Sequence, residues 1–127
     1  MRKYWALPLV LAVTCFTLSC GSSRHLQSIS ITQTANGQQI QFVATGNFSS
    51  APITVTPLPV AWGFGPFAPP PPTLTYTLTT QPFSFDCAGS GPYLPVSAAA
   101  PSNPNAPLNG TLPFAKIVTG SAPVTCP

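Results

Sequence analysis

Leu26-Gln27-Ser28-Ile29-Ser30-Ile31-Thr32-Gln33-Thr34, then Asn36-Gly37, then Gln39-Ile40-Gln41-Phe42-Val43-Ala44-Thr45 is the stretch that decides the fold. Both runs alternate with period two, the repeat of a half-buried strand. In the first, Ile29 and Ile31 share one face, and Ser28, Ser30 and Thr32 share the other. In the second, Ile40, Phe42 and Ala44 point one way, and Gln39, Gln41 and Val43 the other. Asn-Gly between two such runs is a hairpin signal. Gly46-Asn47 is expected to close the second strand.

The same pattern continues downstream. Ile53–Thr56 is a short strand between Pro52 and Pro57, which confine it to an edge or strand end. Val60-Ala61-Trp62 is another. Residues 63–72 read as a loop, with Pro69–Pro72 favouring polyproline II. Thr73–Thr80 places Leu74, Tyr76 and Leu78 on one face and threonines on the other. Phe83–Cys87 extends the sheet, residues 88–114 read as loop with a short strand at Tyr93–Ser97, and Lys116–Thr119 and Val124–Cys126 are candidate last strands. Short strands at roughly ten-residue spacing predict an all-β antiparallel sandwich with long Pro/Gly-rich loops.

Composition supports this and excludes much else. The chain of 127 residues holds 18 prolines and nine glycines, and only 4% of it is charged. Interior prolines break helices, so an all-α bundle is excluded. A single Asp, Asp86, and no Glu exclude two-carboxylate hydrolysis. One His, His25, cannot build a zinc site by itself, and no CxxC spacing accompanies it. A Ser-His-Asp arrangement would have to use His25 and Asp86. No catalytic residue, metal or cofactor is expected.

The N-terminus reads as an address. Arg2 and Lys3 precede an uncharged apolar run, Tyr4–Leu18. Fifteen helical residues would span roughly 22 Å, short of the ~30 Å hydrocarbon core. Such a run matches the h-region of an export signal. Phe16-Thr17-Leu18-Ser19-Cys20-Gly21-Ser22-Ser23 follows, and it resembles the lipobox of bacterial lipoproteins. The resemblance implies cleavage before Cys20 and a diacylglycerol on its sulfur. Residues 1–19 are then a signal peptide, 20–25 a lipidated tether, and 26–127 the folded domain. Gly21 after the Cys resembles outer-membrane sorting. The expected place is the bacterial cell envelope, with the membrane as a partner through the lipid.

Removing residues 1–19 leaves two cations, Arg24 and Lys116, and one anion, Asp86, a formal net charge of +1. No basic patch remains for nucleic acid. Cys87 and Cys126 are left as a pair, and an exported chain oxidises such a pair to a disulfide.

The run Leu26–Ile31, then Gly37, Gln41-Phe42-Val43-Ala44-Thr45-Gly46, Val55-Thr56 and Val60-Ala61-Trp62 resembles the bacterial Ig-like domain, group 2. Gly120-Ser121-Ala122 followed by Pro123 is similar to its closing strand, with Pro123 interrupting it. The family implies a sandwich with Trp62 packed centrally, no catalytic residues, and spacer or adhesion roles. Phe64 and Phe67 lie in the Gly/Pro loop and are the candidate contacts for a glycan or peptide. Thiol labelling of the denatured, unreduced mature protein should leave Cys87 and Cys126 unmodified; modification of either refutes the bridge.

Overall fold

The computed structural model describes residues 23–88 and 91–126; Cys20 and the whole signal segment fall outside them. The architecture is all-β and antiparallel, consistent with a β-sandwich. Its first sheet is built on the hairpin of β1 (Leu26–Asn36) and β2 (Gln39–Phe48). Asn36 pairs with Gln39, so the central turn residues are Gly37 and Gln38. Gly37 has φ 65° and Gln38 does not have positive φ, which is the pattern of a type II′ turn.

β2 alternates along its full length. Ile40, Phe42, Ala44, Gly46 and Phe48 are buried, and the residues between them are half-buried. The strand runs past Gly46-Asn47, contrary to the expected stop there. Gly46 is interior because a side chain at that position would press on Leu58 at 2.9 Å and Leu26 at 3.0 Å. In β1 an irregularity between Leu26 and Ser28 shifts the register. Leu26 and Ile29, three apart, therefore both face the core. Two short strands share the other edge of β2. β3 (Thr54–Val55) pairs near Phe48, at the open end of the hairpin.

The second sheet holds β4 (Ala61–Phe64), then β5 (Thr73–Thr77) forms a separate ribbon, and β6 (Phe83–Asp86) returns to β2 near the turn end. Phe64 is thus a strand residue rather than part of the loop. Thr79 lies beyond β5 and bridges Val60. β7 (Val96–Pro101) pairs with β4 and with β9 (Ile117–Ala122), and β8 (Asn109–Pro113) pairs with β5. The short strand expected at Tyr93–Ser97 overlaps β7 only at Val96 and Ser97, and both the rest of β7 and the whole of β8 lie where loop was expected. All six residues of β7 are buried. A strand covered on both faces has no polar alternation to read. Val124–Cys126 is not a strand; the last one ends at Ala122, just before Pro123.

Two apolar clusters fill the space between the sheets. At the open end Leu26, Ile29, Ala44, Phe48, Leu58, Val60, Ala98 and Ala100 pack together. Nearer the turn, Ile40, Phe42 and Val96 are fully buried. Each such side chain contributes about 1.5–3 kcal/mol. The disulfide Cys87–Cys126 joins residues 39 apart, with Cα atoms 5.8 Å apart. Closing that loop is worth about 4 kcal/mol, the equal of roughly two core side chains. The Gln33 amide adds a second tie: Thr125 N–H donates to its Oε1 at 3.2 Å, and its Nε2 donates to the Thr125 carbonyl.

β9 crosses β1 so closely that a Cβ on Gly120 would collide with the Ile29 carbonyl oxygen. Backbone cannot yield as a flexible side chain does. Gly120→Ala should destabilise the domain by about 1–3 kcal/mol, the usual range for overpacking. Gly63→Ala, with nothing within 4 Å of its new methyl, should fall within about 0.5 kcal/mol of wild type. Thermal unfolding of the two variants compares them, and equal midpoints would refute the close crossing.

Candidate functional site

The turn end of the sandwich gathers aromatic side chains from four segments. Pairing of β6 with β2 sets Phe83 opposite Phe42 and Phe85 opposite Ile40. β4 brings Trp62 and Phe64, and Tyr93 comes from the segment before β7. Phe83 is the hub. Its ring centroid lies 6.4 Å from Phe42, 5.9 Å from Trp62 and 5.2 Å from Phe64. Phe64 also meets Phe85 edge-on at 5.7 Å, and Phe85 meets Tyr93 edge-on at 5.0 Å. Edge contacts of this kind suit the ring quadrupoles.

The array grades from core to surface. Phe42 is fully buried, Phe83 and Phe85 are half-buried, and Phe64 is 47% exposed. The Tyr93 hydroxyl donates to the Ala88 carbonyl at 3.1 Å. Cys87 and Cys126 pack against the same cluster, so the disulfide staples the base of the array. Trp62 is half-buried and touches both apolar clusters. Its indole N–H is buried and has no acceptor among the described residues.

Phe67 does not join this array. It is half-buried and meets Phe114 at 5.5 Å with the rings tilted by 54°. Pro66, Pro70, Ser97 and Gly120 line the same depression. The Ser97 hydroxyl donates to the Gly65 carbonyl there. The structure does not bring Phe64 and Phe67 together: β4 carries Phe64 to one cluster and the following loop folds Phe67 into another. The partners that Phe64 does have were legible only in part. Phe83-Ser84-Phe85 has the right period, but nothing in it names β2 as its neighbour.

His25 and Asp86 stand at opposite ends of the hairpin. His25 lies beside Ser49, with Nδ1 3.2 Å from the Ser49 Oγ. Asp86 pairs with Gln39 and accepts from its Nε2 at 3.3 Å. The length of β2 separates them, about 30 Å at ~3.3 Å per residue. They do not form one site. Among the described residues no group of three His, Cys, Asp or Glu side chains converges.

Compared with known protein families, curated proteins and solved structures, the chain matches none. Phe83→Ala, which removes three ring contacts, should cost about 3 kcal/mol. Phe64→Ala should cost no more than about 1 kcal/mol, because nearly half of its surface already meets water. Urea unfolding reads both, and equal losses would place Phe64 inside the core instead.

Proposed function

We propose that the chain is a lipoprotein of a bacterial envelope, held to the outer membrane through Cys20, whose Ig-like domain is a non-catalytic structural, adhesion or interaction module. The observation that carries this reading is the direction of the first hairpin. β1 begins at Leu26, six residues after Cys20, and runs 11 residues to the turn end. At ~3.3 Å per residue that end lies about 35 Å further on. The half-exposed aromatic array sits there, stapled by the disulfide. A rigid sheet with this array at the end away from the tether is built for display.

The Ig-like assignment rests on the resemblance across residues 26–62, on Trp62 touching both clusters, and on two antiparallel sheets facing one another. The lipobox resemblance implies two chains on the Cys20 sulfur and a third on the freed amine, and three such chains would make detachment negligible, since each buried methylene adds about 0.8 kcal/mol.

A second reading, a glycan- or peptide-binding module, is favoured by one observation. Phe64 is 47% exposed while held edge-on by Phe83 and Phe85, a rigid apolar platform. Phe85 and Tyr93 would be its neighbours in such a site, not Phe67.

Intact mass spectrometry of the membrane-extracted protein tests the anchor. The expected product starts at Cys20, carries fatty acyl mass, and is lost from the membrane fraction in Cys20→Ala. A chain that starts elsewhere, or that carries no acyl mass, overturns the reading.

A further inference from the structure

The opposite end of the sandwich carries features that the display role does not use. Between the sheets, at the open end of the hairpin, lies an apolar cleft of about 200 Å³. Phe48, Leu58, Leu78 and Ala100 form its walls, and Arg24 and Leu108 stand at its rim. Two of the four exposed large hydrophobic side chains among the described residues stand at this end: Leu108, 63% exposed, lines the cleft, and Ile53, 54% exposed, is bonded to the cleft residue Phe48. Ile53 is fixed there by the Phe48 N–H, which donates to its carbonyl at 2.7 Å.

The charges divide between the two ends in the same sense. Arg24 lies over the Phe48 ring at 3.8 Å and donates to the Ser50 and Pro52 carbonyls. Lys116 is exposed, and its carbonyl accepts from Ser102 N–H at 2.9 Å, while Ser102 in turn accepts from Leu26 N–H at 2.8 Å. Both cations of the described residues thus stand at the open end. The one carboxylate, Asp86, stands at the turn end.

We propose that the open end is a lipid-binding face that seats the domain upright on an anionic phospholipid bilayer. Ile53 and Leu108 enter the acyl boundary on either side of the cleft, and Arg24 and Lys116 meet lipid phosphates. The occupant is set by position and charge. Arg24 is four residues after Cys20, so the chain cannot carry it more than about 14 Å from the anchored sulfur. A tether that short keeps the surface and the bilayer at high effective concentration, so a weak contact suffices. Apolar contact plus cations is the chemistry of interfacial binding. The inference deepens the lipoprotein reading and rests on it for the nearness of the bilayer.

The test uses the membrane-extracted full chain, reconstituted into vesicles of phosphatidylglycerol and phosphatidylcholine that carry a photoreactive acyl diazirine. Peptide mapping after illumination should place the label on Ile53 and Leu108 and leave 33–41 and 82–88 unlabelled. Lys116→Gln, an exposed change that leaves the core alone, should lower the ratio of labelling in anionic over pure phosphatidylcholine vesicles by about fivefold, one basic residue's share at such a surface. Ile53→Ser with Leu108→Ser should abolish the label at the open end without moving the thermal midpoint by more than a few degrees. Intact mass on the same sample reads the anchor separately. An acylated chain labelled evenly, or only at the turn end, overturns the lipid-binding face and leaves the anchor. A chain without acyl mass that is still labelled at Ile53 and Leu108 overturns the anchor and supports the face.

Discussion

The closest constraint in this fold is backbone on backbone. β9 passes β1 at Gly120 and Ile29 with no room for a methyl group between them. That crossing shuts one side of the space between the sheets, because β1 is an edge of the first sheet and β9 an edge of the second. Two otherwise open edges are thereby covered by each other, which removes the usual liability of unpaired strands. Small side chains make the same approach possible further in. Ala98 pairs with Gly120 across the ladder, and Ala98 and Ala100 face the first sheet. Larger residues there would hold the sheets apart and loosen the contact that Phe48, Leu58 and Val60 make across them.

From that crossing the chain divides into two ends with different chemistry. The open end is aliphatic, with the Arg24 guanidinium over Phe48. The turn end is aromatic and cross-linked. The 39-residue loop between the cysteines contains β7, β8 and β9, so one bridge restrains a third of the strands in the unfolded chain. Gln33 ties the neighbouring Thr125 to β1 by its side-chain amide, taking the place a strand partner would have held. Pro123 keeps the backbone from continuing as that partner, since it has no N–H to donate. The side-chain bond supplies what the interrupted strand does not.

Much of this was legible because proline marks boundaries. From β3 onward every strand has a proline close to one end: Pro52, Pro59, Pro72, Pro82, Pro95, Pro107 and Pro123 stand beside them in order. The period-two faces of β1, β2 and β5 were readable for the ordinary reason that one face is dry and the other wet. β7 was not. Val96-Ser97-Ala98-Ala99-Ala100-Pro101 is buried on both faces, so it has no alternation, and alanine and serine carry little strand preference. The strand exists because its neighbours need a thin partner, a tertiary demand that local residue choice does not announce. The site suffered likewise. Phe64 and Phe67 are three residues apart in a Gly/Pro-rich segment, and only the end of β4 between them decides that they part.

The scarcity of charge bears on how each end is read by other molecules. The outer faces stay hydrated by hydroxyls and amides that satisfy one another across strands: Thr45 with Thr56 at 2.7 Å, Thr75 with Thr111 at 2.8 Å, Asn47 to Ser28 at 3.3 Å. Such a surface presents almost no field of its own. The few ions therefore act as isolated sources. Screening in physiological salt decays over about 8 Å, far less than the ~30 Å length of β2. Asp86 does not offset Arg24 or Lys116 for anything bound at the open end, and those cations do not reach the aromatic array. The described residues, with Arg24 and Lys116 against Asp86, thus offer two ends of opposite sign, one acidic and aromatic and one basic and aliphatic, each sensed locally. That separation, rather than the net charge, is what would decide which end an anionic surface attracts.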